Sequence, residues 1–134
     1  MGVSYENCGS HTVQQSEHGI WKAGFRCPDM VVTPLGGIGE RRLYSEVEYG
    51  NYLLLSIGSA SVLNPGLESV VTQYAILAED DKSTSNSEKM YTASWASLND
   101  VFHVVVRPDM YIAFVAQDIT ACEAHIRSVL RAAQ

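Results

Sequence analysis

The side chains best suited to chemistry are one strand histidine and two arginine–aspartate clusters. His103 lies within Val101 to Val106. Alternation there puts Val101, His103 and Val105 on one face of a strand and Phe102, Val104 and Val106 on the other. Facing a cavity, His103 could act as a general base near neutral pH; against packed neighbours it is a hydrogen-bonded core residue. Asp109 and Asp29 are its candidate acid–base partners, and Arg26 and Arg107 could stabilise an oxyanion or hold a substrate. A structural arginine–carboxylate bridge between the N-terminal loop and the later strands accounts for the same four charges without catalysis. Trp21, Phe25 and Tyr111 could line an aromatic pocket or anchor a contact with a partner subunit.

Other chemistries lack their equipment. Cys8, Cys27 and Cys122 are far apart, no C-x-x-C pair occurs, and an odd cysteine count argues against a disulfide scaffold. Cys27 and Cys122 read as buried fillers. No metal-ligand spacing links a histidine to a carboxylate, so no metal site is expected, and His11, His18 and His125 read as surface residues. Ser56 to Ser61 lacks the order of a nucleophile elbow. Gly36-Gly37-Ile38-Gly39 follows no clear strand and has no G-x-G-x-x-G pattern, so no nucleotide cofactor is expected in this chain.

Nine Lys and Arg against fifteen Asp and Glu give a net charge of -6, with no basic stripe, so a nucleic-acid partner is not expected. The longest apolar run, from Val101 to Ala116, is broken by His103, Arg107, Pro108 and Asp109, too often to span a bilayer. The first residues lack the layout of a secretory signal, and Glu6 stands where a myristoylation signal needs Ser or Thr; a cytoplasmic location follows as an expectation.

These groups need a scaffold, and 134 residues with 46% apolar content suit one domain. Residues 1–10 are polar and expected to fray, and His11 to Gln15 could add an edge strand. The Gly- and Pro-rich stretch 24–39 reads as extended, with Met30-Val31-Val32 its apolar step. Glu40 to Tyr49 reads as a short helix stopped by Gly50. Tyr52 to Ile57 reads as a central strand, Val70 to Leu77 as a second, and 79–89 as a mobile loop. Val101–Arg107 and Tyr111–Gln117 form a hairpin around Pro108-Asp109-Met110. Thr120-Ala121-Cys122-Glu123 has a capping-box pattern, and Ile119, Cys122, Ile126, Val129, Leu130 and Ala133 make one apolar helical stripe. This order predicts an α/β fold: a thioredoxin-like mixed sheet with flanking helices, a closing hairpin and a C-terminal helix laid across it.

Residues 23–29 (Ala-Gly-Phe-Arg-Cys-Pro-Asp), then Arg42-Leu43-Tyr44, Leu53-Leu54-Leu55, and 105–113 (Val-Val-Arg-Pro-Asp-Met-Tyr-Ile-Ala) occur in an order that resembles the C-terminal thioredoxin-like domain of flavin-dependent aromatic hydroxylases, the phenol hydroxylase group. The resemblance runs from about Gly19 to the end and thins across 59–100. It implies a redox-inactive domain that packs on a flavin domain and often contributes to dimer contacts. Met110 departs from it by standing where that family has Gly or Gln, as does Phe114-Val115 in place of Trp-Arg. The flavin and substrate domains that precede the module in that family are absent from this sequence, so FAD would come only from a partner. The resemblance implies two roles. One is a tailoring or accessory protein of aromatic or polyketide secondary metabolism; if catalytic, it would be a cofactor-free isomerase, dehydratase or cyclase acting on an aromatic small molecule. The other is a non-catalytic dimerisation or stabilisation module for a separate FAD-dependent monooxygenase, in a homodimer.

Overall fold

The computed structural model describes residues 12–35, 37, 39–48, 50–58, 70–79 and 89–132. Eight strands form a mixed sheet: β1 (Val13–Gln14), β2 (Val31–Pro34), β3 (Arg41–Arg42), β4 (Tyr52–Gly58), β5 (Val71–Ala78), β6 (Met90–Ala93), β7 (Phe102–Val106) and β8 (Ile112–Ala116). Their spatial order is β1-β8-β7-β4-β5-β6-β2-β3. Two helices complete the described elements, α1 (Leu43–Glu46) and α2 (Ile119–Ala132).

The centre of the sheet follows from the apolar runs. Leu53 to Gly58 are buried throughout, and β4 pairs parallel with β5 and antiparallel with β7, as a strand covered on both faces should. β7 turns back antiparallel into β8, and α2 follows at once. The order β5-β4-β7-β8 with a terminal helix on one face is the thioredoxin-like arrangement.

Alternation sorts the side chains into two layers. Leu53, Leu55, Ile57, Phe102, Val104 and Val106 join Trp21 and Leu43 in the larger core. Leu54, Val105, Phe114, Cys122 and Ile126 form the second core, where α2 lies on the sheet and Leu130 packs against it. Among the described residues no helix is long and apolar enough to cross a membrane.

Two local expectations, the helix over Glu40–Tyr49 and the cap at Thr120, are revised, and two features are added. The helix read over Glu40–Tyr49 shrinks to one turn, because Arg41 and Arg42 pair with Val32 and Val31 instead. Met90–Ala93, after the charged stretch, becomes β6, parallel to β5. The helix cap is Asp118 rather than Thr120: its carboxylate Oδ1 accepts the Thr120 N–H at 2.9 Å and the Thr120 hydroxyl at 2.7 Å, so the helix begins at Ile119, two residues earlier. Met110, a side chain that resists the left-handed region, adopts it nonetheless at φ 71°. Residues 1–10, the Ser59–Ser61 and Asn64-Pro65-Gly66 turns, and all but the ends of the 79–89 loop lie outside the described residues.

The hairpin explains the strain at Met110. Met110 N–H donates to Arg107 O and Arg107 N–H donates to Tyr111 O, each at 2.8 Å. Register then slips, Val105 facing Phe114 but Val106 facing Ile112, which leaves Ala113 as a bulge. Separately from that slip, a three-residue loop built on a type I turn places its third residue in the left-handed region. Here Met110 occupies it, with its side chain 5% exposed in the core.

Candidate functional site

The residues singled out from the sequence fall into three separate places. Arg26, Asp29, Arg107, Asp109 and Tyr111 gather where the 24–30 segment meets the hairpin. Backbone joins them: Arg26 bridges Tyr111, Cys27 N–H donates to Met110 O at 2.7 Å, and Ile112 N–H to Phe25 O at 2.8 Å. Several of their side chains also pair with near neighbours. Arg107 pairs with Asp109 and lies 5.9 Å from the centre of the Tyr111 ring. Arg26 Nε donates to the Tyr44 hydroxyl at 3.2 Å, and Asp29 Oδ1 accepts the Tyr44 N–H at 3.0 Å. Peptide hydrogen bonds thus tie the loop to the hairpin, and these ion and cation–π pairs brace the segments that carry them.

His103 stands in the second place, under α2. It is 2% exposed, its Nδ1 is hydrogen-bonded to Ser56 Oγ at 3.0 Å, and Gln73 donates to the same hydroxyl at 3.1 Å. Burial pushes the imidazole below its ordinary pKa, opposed by the nearby Asp118 carboxylate. A neutral, hydrogen-bonded ring results. His103 pairs with Ala116 on β8, whereas Asp109 lies past the opposite end of that ladder, so the structure does not bring the two together. Cys122 sits beside His103, its thiol 3.8 Å from the His103 carbonyl and pushed up to about 12 by burial. Cys27 is likewise raised to about 12 by burial and by Asp29. Neither thiol ionises readily.

The third place is a cavity of about 310 Å³ on the opposite face of the sheet, with His18, Ile20, Trp21, Trp95, Asp100 and Phe102 among its walls. Trp21 is buried and its ring centre is 5.5 Å from that of Trp95 and 6.2 Å from that of Phe102. Phe102 reaches this face because β7 alternates, the same alternation that turns His103 away from it. The other walls come from the turn after β1, the segment between β6 and β7, Ile57 of β4 and Met30 before β2. Gly58 lets that segment approach: a Cβ there would stand 2.6 Å from the Ser97 carbonyl and 3.0 Å from that of Asp100, at φ +97°. Among the described residues no cluster of His, Cys, Asp and Glu could hold a metal ion.

His18 corrects the surface reading given to it. It is 7% exposed and stacks on Phe102 at 4.0 Å, 11° from parallel. Nδ1 meets Asp100 Oδ1 at 2.7 Å and Nε2 meets Ser16 Oγ at 2.6 Å. His125 is also buried, stacked on Phe114 at 4.6 Å. Sequence reasoning missed His18, Trp95 and Asp100, since 82 residues separate His18 from Asp100. The one available signal was that the chain has only two tryptophans, and both reach this cavity.

No family model matches the chain. No curated protein matches it either. Among solved structures, the chain is similar to aklavinone-11 hydroxylase, crystallised with FAD and aklavinone, at 17% identity and a TM-score of 0.56 over 92% of this chain. A candidate protein disulfide isomerase from Bacteroides thetaiotaomicron aligns over 84% of this chain and 87% of its own, at 12% identity and a TM-score of 0.47. The chain spans about 25% of the hydroxylase's length. What is shared with that part of the flavoprotein hydroxylase is its fold, the mixed sheet with a terminal helix.

Proposed function

We propose that this chain binds an aromatic small molecule in the Trp21–Trp95–Phe102 cavity and serves as a tailoring or accessory protein of aromatic metabolism. The observation that carries this reading is the convergence of three aromatic rings, a histidine and a carboxylate on one cavity. Ligand sites are mostly apolar concavities with a few placed polar groups, of roughly 300–1,000 Å³. At about 310 Å³ this one suits one or two fused rings, and a larger polycycle would protrude past Ile20. Cofactor-free tailoring needs an acid–base relay beside the wall, which the hydrogen-bonded chain of Ser16, His18 and Asp100 supplies; His103, Asp109 and Asp29 stand elsewhere, and Arg26, Arg107 and Tyr111 line the hairpin junction.

Both tryptophans border the cavity, so intrinsic fluorescence reads its occupancy directly. Titration with 1-naphthol or a naphthoquinone should quench the emission saturably, and Trp21→Phe should remove part of that signal. Emission that falls only linearly, as from collisions in solution, refutes the reading.

A second reading has one supporting observation, the fold shared with part of an FAD hydroxylase. On it the chain is a non-catalytic, dimer-forming module for a separate FAD-dependent monooxygenase, which brings the flavin, and Phe25, 57% exposed beside the hairpin, is a contact residue. A defined complex with a purified hydroxylase, broken by Phe25→Asp, would favour it.

A further inference from the structure

We infer that Ser16, His18 and Asp100 form a nucleophilic triad, and that Ser16 Oγ accepts an acyl group from an ester whose aryl portion seats in the cavity. The inference rests on the proposed aromatic ligand for its substrate class, and on geometry of its own for its chemistry. A nucleophile within hydrogen-bond reach of a base, the base itself oriented by a third group, is the arrangement that activates a serine. Here the two links are 2.6 Å (Ser16 Oγ to His18 Nε2) and 2.7 Å (His18 Nδ1 to Asp100 Oδ1).

The direction of each hydrogen bond follows from the groups. An ionised carboxylate only accepts, so Nδ1 carries the ring proton and donates it to Asp100. In the neutral imidazole Nε2 is then the acceptor, and the Ser16 hydroxyl must donate to it. With both nitrogens engaged, His18 offers no free lone pair to a bound ligand. Its basicity emerges at Ser16 Oγ instead.

The base is held in place from several sides. Its ring is pinned on Phe102, and its side chain is 2% exposed. Trp21 N–H donates to His18 O at 3.2 Å, closing a turn whose central residues, Gly19 and Ile20, line the cavity. Gln14 fastens the strand before it, donating to Ser16 O at 2.6 Å and to Trp21 O at 3.1 Å. Ser16 is half-buried, and its hydroxyl reaches the cavity through its 2.6 Å contact with Nε2 of His18, which is one of the cavity walls.

The reaction balances without a cofactor. Ser16 Oγ attacks the ester carbonyl carbon as its proton passes to His18 Nε2. The carbon–oxygen bond to the leaving phenol or alcohol breaks, and His18 returns the proton to that oxygen. Water then attacks the acyl-serine, again giving its proton to His18, and a carboxylic acid departs as Ser16 recovers its hydrogen.

The test uses the full chain, phenylmethanesulfonyl fluoride and 1-naphthyl acetate. Peptide mapping should place one sulfonyl adduct on Ser16, and naphthol release should follow the same site. Ser16→Ala should abolish both. Asp100→Asn, which preserves shape but not the tautomer, should slow acylation by about 10²–10⁴-fold. Labelling absent from Ser16, or naphthyl acetate turnover undiminished in Ser16→Ala, overturns the triad and leaves the three residues as a hydrogen-bonded brace. Saturable quenching by 1-naphthol, measured on the same samples, separates the two claims. Quenching without acylation defeats the triad alone, and acylation without quenching defeats the aromatic-binding reading alone.

Discussion

Replacing Met110 sets two opposing effects against each other. At φ 71° its backbone is in the left-handed region, which costs a side chain with a Cβ about 1–2 kcal/mol. The same residue buries its side chain in the larger core, beside Cys27 and Ile112. Truncating a buried methionine to alanine costs about 2–5 kcal/mol. Met110→Ala keeps the strain and loses the packing, so it should fall by that full amount. Met110→Gly loses the same packing and relieves the strain, at an extra unfolded-state entropy cost of about 0.5–1 kcal/mol. Glycine should therefore lie above alanine by up to about 1.5 kcal/mol, and both should lie below the parent chain. Urea unfolding followed by tryptophan emission measures this, since Trp21 is buried; with a slope of about 2 kcal/mol per molar, the alanine midpoint should drop by roughly 1–2.5 M. A glycine variant as stable as the parent would mean that strain outweighs burial. An alanine variant above glycine would show that the loop does not hold a left-handed residue there.

Two further outcomes follow from the same geometry. Gly58→Ala forces a Cβ against the carbonyls of Ser97 and Asp100, which are backbone and cannot swing aside, and adds positive-φ strain. It should destabilise by about 2 kcal/mol or more and weaken 1-naphthol quenching as Asp100 shifts; an unchanged urea midpoint and unchanged quenching would refute the close approach. At His103, burial holds the folded pKa below 6.5, so in that range the unfolded chain binds the proton more readily. Stability is then full above pH 6.5, declines as pH falls toward the lowered folded value, and is flat beneath it. His103→Gln should flatten that decline in melting temperature while leaving naphthol quenching intact, because His103 lies on the sheet face away from the cavity; lost quenching would contradict that placement.

Much of the scaffold was legible because its signals are local. The uninterrupted apolar run of β4, the alternation of β7, the turn at Pro108 and the stripe of α2 each lie within a dozen or so residues, and burial periodicity depends only on such neighbours. That Ile126 and Cys122 would face the sheet followed from the helical period. What was misread or left unread was decided by distant partners. Arg41 and Arg42 pair with β2 rather than open a helix, and Met90–Ala93 becomes a strand because β5 presents an edge to it.

From sequence alone one could say that the chain builds a mixed α/β sheet with a closing hairpin and an apolar terminal helix. The choice of face was also written there: alternation separates His103 from Phe102 whatever else happens. Only the tertiary structure could decide which face holds a cavity, and that His18 would meet Asp100 across it. Those two side chains lie 82 residues apart in the sequence, and neither has a local pattern that reveals the other. Their contact depends on how the turn after β1 and the segment before β7 pack around Gly58 and Phe102. Such packing is a property of the assembled sheet, because it arises from contacts between segments whose separate sequences carry no shared period.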